Sequence, residues 1–363
     1  MQSYERILLG GGIMKNPFGL SLGILPENFI RREEIIATVM DGFVDEENDA
    51  KMYILTGVRG SGKTVMLNYL KKQFEAMDDW LVLTINPEMD ILESIASKLY
   101  EKGSMKRYFL KTSFNFSFHG IGFSIEGNTP LKNIETLLEK MMEIIKDKKK
   151  KVLIAIDEIS NSDNIKVFSH TFKNMVNNGL PIYLLATGLY ENVYHMSNEK
   201  TLTFIYRAKK IHVDSLNLTS IAQSYKEALQ LDNVFAKKCA ALTEGYASAY
   251  QILGSILFKT KAKKIDDDLL SQFDSYLEEI NYEKLWEDLS LMDKEFLYGF
   301  IAQKNNKAAV VIQNSKIAKT SYSRYRDRLM KKGIIRSDSY GYLSLTLPRL
   351  YEYIQRRKIY DEI

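Results

Sequence analysis

One cysteine in 363 residues leaves no partner for an intramolecular disulfide. That excludes a disulfide framework and suits a reducing cytoplasm. Cys239 keeps a helical apolar spacing with Phe235 and Leu242, so it reads as a core residue rather than a nucleophile. Proline numbers only six and no low-complexity tract occurs, which argues against long disordered segments. There is no run of about 18 apolar residues, so no transmembrane helix and no membrane partner are expected. The opening "MQSYERILLGGGIMKNP" has a three-residue apolar run and carries Glu5, and so fails as a signal peptide. A solenoid-type repeat is also absent.

What is present is an ordinary globular composition, 45% hydrophobic and 26% charged, in a chain long enough for two or three domains. The net charge of +4 hides an asymmetry. Residues 304–363 hold fourteen Lys or Arg against five Asp or Glu, a local +9, which leaves −5 for everything upstream.

The most specific motif lies in "YILTGVRGSGKTVMLNYL", residues 53–70. Gly57, Gly60 and Gly62 are followed at once by Lys63 and Thr64, fitting G-x-x-x-x-G-K-[ST]. The apolar run Met52, Tyr53, Ile54, Leu55 before it suits a strand buried on both faces. Leu67, Leu70 and Phe74 after it share one face of a helix. Between a strand and a helix, such a loop folds into a nest of N–H groups at the positive helix end, a site for polyphosphate. The expected nucleotide contacts are Gly57, Val58, Arg59, Gly60, Ser61, Gly62, Lys63, Thr64 and Val65. Lys63 would neutralise the β and γ phosphates of ATP, and the Thr64 hydroxyl would bind Mg²⁺.

A phosphate loop of this kind needs acids on a second strand, and "KVLIAIDE", residues 151–158, supplies them. Val152 to Ile156 is an uninterrupted apolar run, so Asp157 and Glu158 emerge at its C-terminal end, the ligand edge of an open α/β sheet. Asp157 is the expected Mg²⁺ group, through its water shell, and Glu158 the group that polarises the attacking water. The preceding "KDKKKK", residues 146–151, reads as a solvated helix cap rather than a nucleic-acid patch. A third apolar strand, "PIYLLATG" from 181 to 188, places Thr187 where it would sense the γ-phosphate. Arg207, in "NEKTLTFIYRAKKIHV", reads either as a finger that neutralises transition-state charge, in cis or across a subunit contact, or as half of a structural salt bridge. The alternating apolar residues of "FNFSFHGIGFSIEG", 114–127, read as a hairpin turning near Gly120 that covers the core or touches a partner.

From about Thr219 to Ile280 the pattern is helical, with Ile221, Tyr225 and Leu229 on one face. Beyond it, "LSLMDKEFLYGFIAQ", "VVIQNSKIAK" and "SYSRYRDRLMKKG" read as three helices, and "IIRSDSYGYLSLTLP" as a β-hairpin turning near residues 338–341. This is the order of a winged helix. In its third helix Tyr322, Tyr325 and Leu329 take the core side, while Arg324, Arg328 and Lys331 share another face. With Ser321 they are the expected contacts to duplex DNA. A winged helix used for protein contact stays open as the alternative.

Together these segments resemble AAA+ ATPases of the branch that includes archaeal and eukaryotic replication-origin initiators and the STAND signalling ATPases. "GVRGSGKT", "LIAIDEIS", "LLATGLYENV", "FIYRAKKI" and the entry "NPFGLSLGILPENFIRREEI" carry the resemblance, from about Asn16 to the end. It implies an α/β fold with a parallel P-loop sheet and helices on both faces, a helical lid and a C-terminal winged helix. The expected spans are 1–218, 219–284 and 285–363. It also implies Lys63 and Thr64 at the phosphates, Asp157 and Glu158 as the acid pair, Thr187 as sensor 1 and Arg207 as the arginine after it. Two departures stand out: Arg31–Arg32 replaces the usual Gly-Arg of the entry motif, and "GYASAYQILG", 245–254, offers no sensor 2 arginine. The implied activity is hydrolysis of ATP to ADP and phosphate, coupled to assembly on DNA, with a homo-oligomer forming in ATP. The alternative is a nucleotide-gated signalling or defence switch whose winged helix contacts a protein partner.

Overall fold

The computed structural model describes residues 6–9, 12–20, 23–45, 50–111, 134–199, 202–302 and 307–361. The hairpin expected over 114–127 lies outside them. In chain order the elements are β1 (Arg6–Leu9), β2 (Gly12–Lys15), α1 (Glu33–Val44), β3 (Met52–Gly57), α2 (Lys63–Glu75), β4 (Trp80–Ile85), α3 (Ile91–Glu101), α4 (Gly103–Lys111) and α5 (Ile134–Asp147). Then come β5 (Lys151–Ile156), α6 (Asp163–Asn177), β6 (Ile182–Leu189), α7 (Tyr190–Asn198), α8 (Thr203–Tyr206) and β7 (Lys209–His212). The helices α9 (Leu218–Leu229), α10 (Asn233–Leu242), α11 (Ala247–Thr260) and α12 (Asp267–Leu277) follow, with a π-helical turn Glu278–Tyr282 leading into α13 (Glu283–Glu287). The chain closes with α14 (Leu291–Ile301), α15 (Ala308–Asn314), α16 (Lys319–Lys331), β8 (Ile335–Ser339), β9 (Tyr342–Leu345) and α17 (Leu350–Asp361).

Contacts divide the chain into two compact units: Glu33–Thr56 with Lys63–His212, and Met1–Arg32 with Gly57–Gly62 and Val213–Ile363. The first is a five-stranded parallel sheet of order β4-β5-β6-β3-β7 with helices on both faces. The strands β3, β5 and β6 are largely apolar because both faces are covered, whereas the edge strand β7, Lys209–His212, is mostly exposed. Side chains alternate across the sheet, so Met52 and Ile54 join the cluster formed with α3, α5 and α6. Tyr53 points the other way, into an aromatic group with Phe43, Phe74, Trp80 and Tyr183. Ring centroids there lie 5.0 Å apart for Phe43–Tyr53 and 4.6 Å for Phe74–Trp80. Gly42 of α1 makes room for this group, since a Cβ there would lie 1.9 Å from the Tyr53 hydroxyl. The first strand of the sheet, β3, sits between the fourth and the fifth, which brings its C-terminal end beside β6 with β5 next in order.

In the second unit the helices α9 to α12 and the C-terminal elements share one apolar core. Tyr282 and Trp286 pack against Tyr353 at 5.5 and 5.8 Å. Arg349 grips Asp274 with two nitrogens, at 2.6 and 2.8 Å. The segments read as three helices and a hairpin are α14, α15, α16 and the antiparallel pair β8–β9, whose turn holds Gly341 at φ +78°. None of the described helices is long and apolar enough to cross a membrane.

Candidate functional site: the phosphate loop and the acid edge

The loop between β3 and α2 is built by its glycines. Gly60 and Gly62 hold φ at +76° and +93°, where a side chain would be strained. Three successive carbonyls of the loop are engaged within the second unit. Arg59 O lies 2.7 Å from the Tyr246 hydroxyl, Gly60 O accepts from Ser248 N at 3.1 Å, and Ser61 O accepts from Arg32 Nη2 at 2.9 Å. The Ser61 hydroxyl is buried without a hydrogen-bond partner among the described residues. Val58 packs against Gly333, just past α16: a Cβ on Gly333 would meet its Cγ1 at 2.2 Å. Lys63 opens α2 and is 6% exposed, and Val65, half-buried, follows Thr64 in the first turn.

In the first unit, the C-terminal edge of the sheet gathers Thr64, Asp157, Glu158 and Thr187. Oδ1 of Asp157 accepts from the hydroxyls of Thr64, at 3.2 Å, and Thr187, at 2.5 Å. Thr187, fully buried, also accepts from the Glu158 N–H at 2.9 Å, and its carbonyl receives Ile159 N at 2.8 Å. These bonds hold Glu158 at φ +56°, a left-handed conformation costing a non-glycine residue roughly 1 kcal/mol or more. The strained turn sends the carboxylate outward, and Glu158 is exposed. The hydroxyl read as a sensor of the γ-phosphate thus donates its proton to Asp157. Thr187 joins the two acids.

No group of three or more His, Cys, Asp or Glu gathers among the described residues to hold a metal ion. One hydroxyl and one carboxylate 3.2 Å apart instead suit a hard cation that takes its remaining ligands from phosphate and water. The donor set therefore fits Mg²⁺ at Thr64 and Asp157. The Ser61 hydroxyl, which has no partner among the described residues, and the glycine cradle fit a polyphosphate.

Arg207 is not part of this edge. It lies exposed two residues before β7, and β7 runs parallel to β3 with Lys209 opposite Tyr53. That places Arg207 toward the strand starts, at the end of β7 away from the edge where the acids emerge. The register thus sets Arg207 at the far end of the strands from the acid pair within one copy.

Arg328, on α16, is drawn to a carboxylate. Its guanidinium turns inward to Asp293 of α14, with Nε and Nη2 at 2.8 and 2.6 Å from Oδ1, and Nη2 reaches Ser290 Oγ at 2.5 Å. Asp293 is 1% exposed and belongs to the capping box that starts α14. A buried carboxylate demands a cation, and the long arginine stem supplies one. Arg324 is exposed, Ser321 and Lys331 are half-buried, and Leu329 with Tyr322 takes the core side, Tyr325 being partly buried.

Sequence reasoning missed three supports of the loop: Arg32, Tyr246 and Ser248. Arg32 also donates to Asp214 O at 2.9 Å, and burial lowers its pKa to about 10. The one available signal was the pair of departures from the family pattern, which fall on these same two segments.

A parallel five-stranded sheet with the phosphate loop after its first strand and the acid pair after its third is the AAA+ type of P-loop fold. Residues 46–205 match the family model described as AAA domain, and residues 280–354 match a domain of unknown function, DUF8462. Among solved structures the chain is similar to a Walker-type ATPase of Pyrococcus abyssi, at 13% identity over 91% of this chain and 97% of that one, with TM-score 0.65. It is also similar to the ORC2 protein of Aeropyrum pernix in ADPNP–ADP complexes, at 13% identity over 94% and 99%, with TM-score 0.57. Comparison with curated proteins gives no sequence match.

Proposed function

We propose that the protein is an ATPase that couples Mg²⁺-dependent ATP binding and hydrolysis to assembly on DNA through α14–α16 and β8–β9, acting as a C-terminal winged helix. The observation that carries the catalytic half is the Thr64–Asp157–Thr187–Glu158 cluster at the sheet edge. Lys63 neutralises the β and γ phosphates, and the loop amides cradle them. Thr64 and Asp157 hold Mg²⁺, which when bound screens the phosphate charge. Glu158 orients the attacking water and accepts its proton. Thr187 sets the position of both acids. Arg207, at the far end of the strands from the acid pair within its own copy, acts on the nucleotide of a neighbouring copy in an ATP-dependent oligomer.

The DNA half rests on the local +9 and on exposed Arg324, with Ser321 and Lys331 on the same helix. One observation favours the second reading, a nucleotide-gated switch whose winged helix binds protein: Arg328 is committed to Asp293 and leaves the DNA-facing set. The discriminating experiment is the ATPase rate with and without duplex DNA, together with particle size in ATP and in ADP. Stimulation by duplex and growth in ATP support the first reading. Hydrolysis indifferent to DNA, with no duplex binding at low salt, selects the switch, and absence of any hydrolysis rejects the catalytic assignment.

A further inference from the structure

Three consecutive carbonyls of the phosphate loop are held by three different segments. The Tyr246 hydroxyl takes Arg59 O, the Ser248 N–H takes Gly60 O, and the Arg32 guanidinium takes Ser61 O. In a planar trans peptide the C=O and the following N–H point in opposite directions. Fixing the carbonyls of 59, 60 and 61 therefore aims the N–H groups of Gly60, Ser61 and Gly62 away from the groups that hold them. Ser61 N closes the turn onto Val58 O at 3.3 Å, which leaves Gly60 and Gly62 as the amides turned outward for an anion.

Tyr246 is built into this arrangement. It is 5% exposed at the start of α11, and its hydroxyl also lies 3.1 Å from Asn281 Oδ1. Asn281 Nδ2 in turn donates to Ser248 Oγ at 2.8 Å, tying the tyrosine to the turn that starts α11. The missing side chain at position 60 is what admits it, because a Cβ there would lie 2.1 Å from the Tyr246 hydroxyl. Burial raises the hydroxyl's pKa, so it stays a donor at every physiological pH. The glycine thus serves two ends, the left-handed turn and the tyrosine's approach.

We propose that Tyr246 is a positioning residue of the nucleotide site: with Arg32 and the Ser248 N–H it clamps the back of the phosphate loop and so presets the amides that bind the nucleotide's phosphates. This inference rests on the ATP reading above.

The test is Tyr246→Phe, which keeps the ring and its burial and removes only the hydroxyl. Calorimetry with adenosine, ADP and ATP, each with Mg²⁺, is run on parent and variant, with folding checked by thermal melting. ADP and ATP affinity should fall about tenfold while adenosine affinity holds, because only the phosphate-dependent part is preset by the clamp. A tyrosine that merely packs the core would change all three equally or lower the melting temperature alone, and either result overturns the proposal. Should Tyr246→Phe not fold, Arg32→Met, which keeps the apolar stem and removes the contact to Ser61 O, carries the same expectation. A parent that binds none of the three ligands rejects the ATP reading itself, whereas a parent that favours ADP over adenosine beside an unchanged variant rejects the clamp alone.

Discussion

At the C-terminal edge of the sheet, polar groups hold one another on short side chains at strand ends; on α16, cations stand on long stems along a helix surface. The difference decides how freely each can choose a partner. Thr187 has a single hydroxyl on a branched, stiff side chain, and the parallel register of β5 and β6 sets it against Asp157 at 2.5 Å. No rotamer sends it far. Arg328 has four flexible bonds and turns to a buried carboxylate on another helix, while Arg326 pairs with its neighbour Asp327 at 2.9 Å. Topology governs the first region, and the nearest uncompensated charge governs the second.

The largest effect expected from breaking this contrast is at the edge of α2. Lys63→Ala should weaken ATP binding roughly a thousandfold, the scale of truncating one partner of a desolvated charge pair. Unchanged affinity in calorimetry would remove the phosphate loop from the account. Next is Arg328→Ala, which strands Asp293 at 1% exposure. A loss of about 2 kcal/mol in urea unfolding is expected, below the roughly 3–5 kcal/mol of a fully buried pair because Arg328 is partly exposed. If stability holds and only DNA binding suffers, the inward pairing is not what Arg328 is for.

Thr187→Val should lower turnover about tenfold with ATP affinity retained, since the acids lose the hydroxyl that aligns them; that factor corresponds to about 1.4 kcal/mol. A variant with the parent's rate would leave Thr187 as packing. The smallest effect sharpens the other region. Arg324→Ala should flatten the salt slope of duplex binding by about one unit, the signature of one lost phosphate contact. A fluorescent duplex titrated at several salt concentrations reads it, and an unchanged slope places Arg324 off the DNA.

Legibility in the sequence follows the same division. Glycine spacing between an apolar run and an amphipathic helix marks a phosphate loop because few other backbones need those glycines, and β3, α2 and the acid pair after β5 formed where the runs ended. The i, i+4 spacing of Arg324 and Arg328 reports a shared face, yet their fates diverge because Asp293 lies 35 residues away in sequence and its burial is a tertiary fact. Tyr246 was hidden for a similar reason. Nothing in "GYASAYQILG" signals that one tyrosine reaches Arg59 O, 187 residues earlier in the chain. Arg207 sat in the expected segment, but only the strand register revealed which edge of the sheet it occupies.

The central claim is that the strained acid at the sheet edge activates water for ATP hydrolysis, and Glu158→Gln tests it most directly. Its Mg-ATP affinity by calorimetry and its single-turnover rate are measured beside the parent. The account predicts affinity within about twofold of the parent and hydrolysis slower by about 100-fold or more, the scale of losing a general base. A variant that hydrolyses ATP at the parent's rate, or that no longer binds Mg-ATP, would contradict it.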